Sequence, residues 1–234
     1  MLSIILPCFN PQEKWEHTVA SAYEQISSLI PDDIEIILIN DGSTKTISVD
    51  SLEYLKNRIP LFRYISYSNN KGKGFAIREG VKACKGSYVI YTDIDFPYEN
   101  QCLVGVYQSL VDGNDVVIGV KDRSYYKNVP FIRKLISKIL RRLIRFSLSM
   151  PISDTQCGLK GFKAVHKSIF LQTKIDRYLF DLEFVYAVSS HKPPLKIVPI
   201  EIALKPGIIF RKMNAKIVFK EFRNFLTIVF KGKF

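Results

Sequence analysis

Short apolar runs rich in β-branched residues recur along the chain, and polar stretches of helical spacing separate them. The runs are SIILP (3–7), IEIILIN (34–40), FRYISYS (62–68), SYVIYTD (87–93) and DVVIGV (115–120). Between them, residues 12–29, 47–58, 73–84 and 99–111 carry apolar positions at the intervals of one helix face. This alternation predicts a parallel sheet with crossover helices. The runs are nearly continuous in apolar character, as expected of strands covered on both faces. The first half of the chain is therefore expected to be α/β and Rossmann-like, with its ligands beyond the carboxyl ends of the strands.

The pattern changes near residue 130. PFIRKLISKILRRLIRFSLSM repeats apolar pairs every four residues, with six basic and no acidic residues between 131 and 150. That predicts an amphipathic basic helix over 131–149, suited to an anionic bilayer surface, although such a stripe also serves as a core cover. A polar turn at 153–162, a helix around 180–190 and a strand-like LKIVPIEIAL (195–204) follow. The tail, 205–234, sets eight Lys or Arg against the single acid Glu221.

With 234 residues and 47% hydrophobic content the chain can bury a substantial core. The formal charge of +12 points to phosphates, nucleic acid or an anionic membrane as partners. No recognised nucleic-acid motif accompanies it. Cys8, Cys84, Cys102 and Cys157 lack metal-ligand spacing, so reduced cytosolic thiols are expected. The amino-terminal MLSIILPCFN reads as a first strand rather than a secretory signal. No run approaches the roughly 20 apolar residues that span a bilayer, so membrane contact is expected from one side only.

The residues after the strands are strongly polar. TDID ends the fourth run with Asp93 and Asp95 on one side of an extended chain. Like charges so placed are best explained by a divalent cation, Mg²⁺ or Mn²⁺, that also holds a diphosphate. A helix cap by Asp95, with Pro97 in the first turn, is the plainer alternative. Asp41, in INDGSTK, is suited to accept hydrogen bonds from a base or ribose, or to form a turn before Gly42. NNKGKGFAIREG joins a glycine-rich basic turn to a helix start, an arrangement that suits an anion but lacks the spacing of a P-loop.

In order, LPCFN, LINDGST, NKGKGFAIREG, YTDIDFPY, DTQCGLKGF and FDLEF resemble the family 2 inverting glycosyltransferases of GT-A fold. Among these they are most similar to the dolichyl-phosphate β-glucosyltransferase and polyprenyl-phosphate sugar transferase branch. The basic charge of the tail over 205–234 suits a membrane-interfacial segment, and the resemblance implies a catalytic domain over 1–204. It also implies a nucleotide-sugar donor such as UDP-glucose, bound through Pro7, Asn10, Asp41, Lys73 and Asp93, with Asp95 as the ligand of Mg²⁺ or Mn²⁺. Arg123 would neutralise phosphate near the reacting centre, and Asp154, Thr155 and Gln156 would face acceptor and sugar.

Two acceptors remain open. A sugar hydroxyl needs a general base, for which Asp154 and Asp181 are the candidates. A polyprenyl phosphate needs none, being already largely ionised at neutral pH with a second pKa of about 6. No QxxRW motif occurs, which argues against a processive synthase. The expected site of action is the cytoplasmic face of a membrane, with peripheral attachment. A nucleotidyltransferase and a basic nucleic-acid-binding module are weaker readings, and the second leaves the three aspartates unexplained.

Overall fold

The computed structural model describes residues 1–121, 154–206 and 224–229, together with Lys138, Arg142, Ile144 and Glu221. Seven strands form one sheet, and helices cover both of its faces. The amino-terminal half runs β1 (Leu2–Cys8), α1 (Trp15–Ser27), β2 (Ile34–Asp41), α2 (Val49–Lys56), β3 (Leu61–Tyr67), α3 (Lys73–Ala83) and β4 (Tyr88–Tyr91). Then come α4 (Asn100–Val111), β5 (Val116–Lys121), β6 (Lys160–Lys163), α5 (Lys167–Leu171), α6 (Phe180–Ser189) and β7 (Ile197–Ile202).

The order across the sheet is β3-β2-β1-β4-β6-β5-β7. Neighbours pair in parallel except at β6, which is antiparallel to both β4 and β5. The expected α/β class and mostly parallel sheet are thus found. β1 and β2 are buried at every position, which accounts for their unbroken apolar runs. Two apolar clusters result. Ile5, Ile37, Val89 and Phe162 meet α3, α5 and α6 on one face, while Leu6, Leu38, Ile90 and Val117 meet α1 and α4 on the other.

One strand was not expected. β6 overlaps the end of the segment read as a polar turn, because its four residues include two lysines and a glycine. Gly161 is required there, since a Cβ would lie 2.7 Å from Val106 of α4. Most of the basic segment 131–149 lies outside the described residues, as do 207–220. Of its described members, Lys138 and Arg142 are exposed helical residues, whereas Ile144 is fully buried in the cluster under α5 and α6. Phe225 and Ile228 of the helical stretch 224–229 join the same cluster.

Candidate active site

The loops after β1 and β2 are tied to each other. Asn10 has a left-handed φ of 44°, and its Oδ1 accepts from the N–H groups of Thr44 (2.9 Å) and Lys45 (3.2 Å). Its own N–H donates to Ser43 Oγ at 2.9 Å. Asn10 therefore braces two loops. Pro7 is buried inside β1, opposite Ile39. Beside them burial pushes the Cys8 thiol up to about 12, so it has no nucleophilic role at neutral pH.

Asp41 organises the third loop. Its carboxylate accepts from the N–H groups of Lys71 (2.7 Å) and Gly72 (2.9 Å) and from Asn70 Nδ2 (2.8 Å). Gly42 permits this approach, because a Cβ at its φ of 70° would sit 2.6 Å from the backbone of Asn69 and Asn70. At the start of α3 the N–H groups of Gly74 (2.7 Å) and Phe75 (3.3 Å) donate to the carbonyl of Asp176. The amides expected to receive an anion are thus engaged within the protein, and the cationic contribution of this segment comes from its lysines.

Lys73 carries that contribution inward. Its Nζ lies 2.5 Å from Asp93 Oδ1, and the Asp93 side chain is 38% exposed. Burial lowers the Lys73 pKa, but Asp93, Asp181 and Asp95 together outweigh it and hold the ammonium above the ordinary lysine range. Three carboxylates from two motifs therefore act on one cation, and Asp93 is the one in contact with it. Asp95 is exposed on the turn beyond β4. That turn closes through the Phe96 N–H on the carbonyl of Asp93 at 3.0 Å, with Phe96 buried at a positive φ of 42°. A bulky residue in that region is strained, by about 1–3 kcal/mol, and such strain gathers at functional sites.

The DTQCGLKGF segment closes on the same turn. A Cβ on Gly158 would lie 2.4 Å from Asp93 Oδ2, so a larger residue there would displace the carboxylate. The Gly158 N–H donates to Tyr98 Oη at 3.0 Å, which ties YTDIDFPY to this segment. Burial, reinforced by Cys157 and Asp93, drives the Tyr98 phenol well above its usual range. Asp154 is buried and accepts from the Lys121 N–H at 3.1 Å, with Lys121 Nζ at 3.6 Å. Gln156 Nε2 reaches Thr155 Oγ1 at 3.4 Å.

Asp181 is a buried counter-ion. Its Oδ1 accepts from Lys160 Nζ at 2.6 Å and from Tyr91 Oη at 2.7 Å, while Lys160 also donates to the carbonyl of Cys157 at 2.5 Å. A carboxylate so engaged is poorly placed to take an acceptor proton. The sequence gives no role to Lys160, Gly158 or Tyr98, and marks Lys121 only as a polar residue after the fifth strand. Lys160 had one legible sign, a charged residue between Leu159 and Phe162 in an apolar setting. Arg123 lies outside the described residues.

Asp93 and Asp95 supply two hard oxygen donors on one turn. Among the described residues no group of three or more His, Cys, Asp or Glu forms a ready-made cation cage. The donor set fits Mg²⁺ or Mn²⁺, which take one or two carboxylates and complete their shell with phosphate and water.

Known proteins carry the same organisation. The sequence pattern of Glycosyl transferase family 2 matches residues 3–170. Dolichyl-phosphate beta-glucosyltransferase of Drosophila melanogaster is 27% identical over 214 residues, 85% of this chain and 66% of the relative. The enzyme of that name from Homo sapiens is 25% identical with the same coverages, 85% and 66%. The chain thus spans just under two-thirds of the length of these relatives. Glucosyl-3-phosphoglycerate synthase from Mycobacterium tuberculosis, in complex with UDP, superposes with a TM-score of 0.66 at 16% identity, covering 99% of this chain and 79% of that one. Mannosyl-3-phosphoglycerate synthase from Rubrobacter xylanophilus gives 0.60 at 15% identity, covering 100% and 75%. These likenesses carry the fold, which is GT-A, and the match over residues 3–170 places the chain in glycosyl transferase family 2.

Proposed function

We propose that the chain transfers glucose, with inversion, from a nucleotide-sugar donor such as UDP-glucose to a polyprenyl or dolichyl phosphate. The observation that carries this reading is the meeting of Lys73, Asp93 and Gly158 at the end of β4, beside the exposed Asp95. It supports a cation–diphosphate site rather than a helix cap, because Asp93 is set among charges and Asp95 makes no cap to α4, whose first residue follows Glu99. The relatives, dolichyl-phosphate beta-glucosyltransferases by name, suggest the glucosyl group and the dolichyl phosphate. Structural neighbours crystallised with Mn²⁺ and UDP-glucose supply the donor class and the cation.

A bound Mg²⁺ or Mn²⁺ contributes Lewis-acid stabilisation of the departing diphosphate, and Asp95, with Asp93 beside it, would hold it. Lys73 adds a second positive charge against that diphosphate. The acceptor phosphate attacks as an anion and needs no strong base. Asp154, fixed by Lys121, then orients the acceptor side, and Asp181 stays paired with Lys160. Pro7, Asn10 and Asp41 shape the nucleoside end of the cleft by holding its loops. Gln156 and Arg123 would meet sugar and phosphate.

Among the described residues no helix is long and apolar enough to cross a membrane. In this reading the basic segment 131–149 and the tail beyond residue 204 hold the 1–204 catalytic domain against an anionic, cytoplasmic membrane face. The test is transfer from labelled UDP-glucose, and from a panel of other nucleotide sugars, to dolichyl phosphate in anionic vesicles. Glucosylated lipid phosphate is the expected product. Transfer to free saccharides with none to the lipid would replace this reading by the saccharide-acceptor one.

A further inference from the structure

The segment Thr173–Asp176 lies beyond residue 170, where the family match ends, yet two buried charged side chains are spent on it. Arg78 of α3, 8% exposed, donates to the carbonyl of Ile175 at 3.0 Å and to Thr173 Oγ1 at 3.4 Å, and it pairs with the Asp176 carboxylate. From a second helix, Glu183 of α6, 5% exposed, accepts from the N–H groups of Lys174 (2.9 Å) and Ile175 (2.7 Å). Charges in an interior are costly unless every one is satisfied. Here both are satisfied largely by the backbone of one four-residue segment.

That segment in turn seats the start of α3. Helix α3 has no side-chain cap, and the Asp176 carbonyl takes its place by accepting from Gly74 and Phe75. The contact is close enough to require glycine on both sides of Lys73. A Cβ on Gly72 would be 2.4 Å from the Asp176 oxygen, and one on Gly74 would be 2.4 Å from that of Ile175. Lys73 thus stands between two residues pinned to the segment, with its ammonium on Asp93.

We propose that Arg78 and Glu183 are positioning residues: from two helices they clamp the 173–176 segment, and the clamped segment sets the first turn of α3 that aims Lys73 at the carboxyl end of β4. The proposal rests on the donor reading only in taking Lys73 as the group that meets the diphosphate. Arg78→Lys keeps the charge but loses the planar fork that reaches a carbonyl and a carboxylate together. Glu183→Gln keeps the shape and one acceptor, and serves where the arginine variant fails to fold.

Two readouts on the full chain decide it. In hydrogen exchange, either variant is expected to speed the Gly74 and Phe75 amides about tenfold or more, with the β1 and β2 amides unchanged. Unchanged protection of the α3 amides overturns the clamp. In titrations with UDP and Mn²⁺, Arg78→Lys is expected to weaken binding about tenfold, and the Arg78→Lys/Lys73→Met double variant to bind no more weakly than Lys73→Met alone. Additive losses overturn positioning through Lys73. A wild-type chain that binds no UDP counts against the donor reading instead, and the exchange result still decides the clamp.

Discussion

The two edges of the sheet treat their carboxylates differently. At the amino edge Glu35 is 2% exposed, and its Oε1 accepts from Ser3 Oγ (2.5 Å) and the N–H groups of Lys85 (2.6 Å) and Gly86 (3.2 Å). Arg63 stands 3.7 Å from the other oxygen. Asp115, on the same edge, accepts from the Lys196 N–H at 2.9 Å and pairs with Lys163 (3.4 Å) and His166 (3.3 Å). These anions join strand starts to one another and leave little acceptor capacity for a ligand. At the carboxyl edge Asp93 is met by a lysine side chain and is itself 38% exposed, and Asp95 is exposed. The edge does not decide the matter alone. Asp41 lies at the carboxyl edge but is 3% exposed with three donors, and so behaves like Glu35. A carboxylate saturated by rigid N–H groups holds the fold, whereas one met by a flexible cation in reach of solvent can change partners.

The largest break in this contrast is expected at Asp95. Asp95→Asn should lower glucosyl transfer by about 100- to 1,000-fold, as for other losses of transition-state charge stabilisation, with the melting temperature nearly unchanged. Glu35→Ala should do the reverse. It leaves the Lys85 amide and the Ser3 hydroxyl without their acceptor and Arg63 without its carboxylate, costing about 3 kcal/mol in urea unfolding while UDP affinity of the folded chain is retained.

A smaller effect sharpens the picture of the Asp93 turn. Gly158→Ala places a methyl against the Asp93 carboxylate and should weaken Mn²⁺-dependent UDP binding about tenfold, read by calorimetry. The smallest concerns acid stability. Burial pushes the Asp115 carboxyl up, but the Lys196 N–H, His166 and Lys163 outweigh it and hold it below the usual aspartate range. Its contribution is therefore present above the unfolded aspartate value and lost as pH falls through the folded one. Asp115→Asn should flatten the acid limb of a pH series of urea midpoints.

The sequence made the parallel strands legible because their burial on both faces writes unbroken apolar runs. It also exposed the β4 turn, since paired aspartates after an apolar strand violate the local pattern. β6 left no such trace: four residues with a buried lysine look polar, and it takes the distant Asp181 together with the Cys157 carbonyl to make that lysine tolerable. Arg78 was hidden for the same reason, and Glu183 was visible only as an acid of FDLEF, since no local spacing announces their partners at 173–176. The glycine-rich turn was misread in part, because its amides serve Asp41 and its helix start serves Asp176. Phe96, which sequence explains only as packing, sits at the strained corner that presents Asp95.

The most direct measurement of the central claim is titration of UDP with and without Mn²⁺ into the wild-type chain, Asp95→Asn and Glu35→Gln. The account predicts Mn²⁺-dependent binding by the wild type and by folded Glu35→Gln, and its loss in Asp95→Asn. Equal UDP binding with and without Mn²⁺, or wild-type binding by Asp95→Asn, would contradict it.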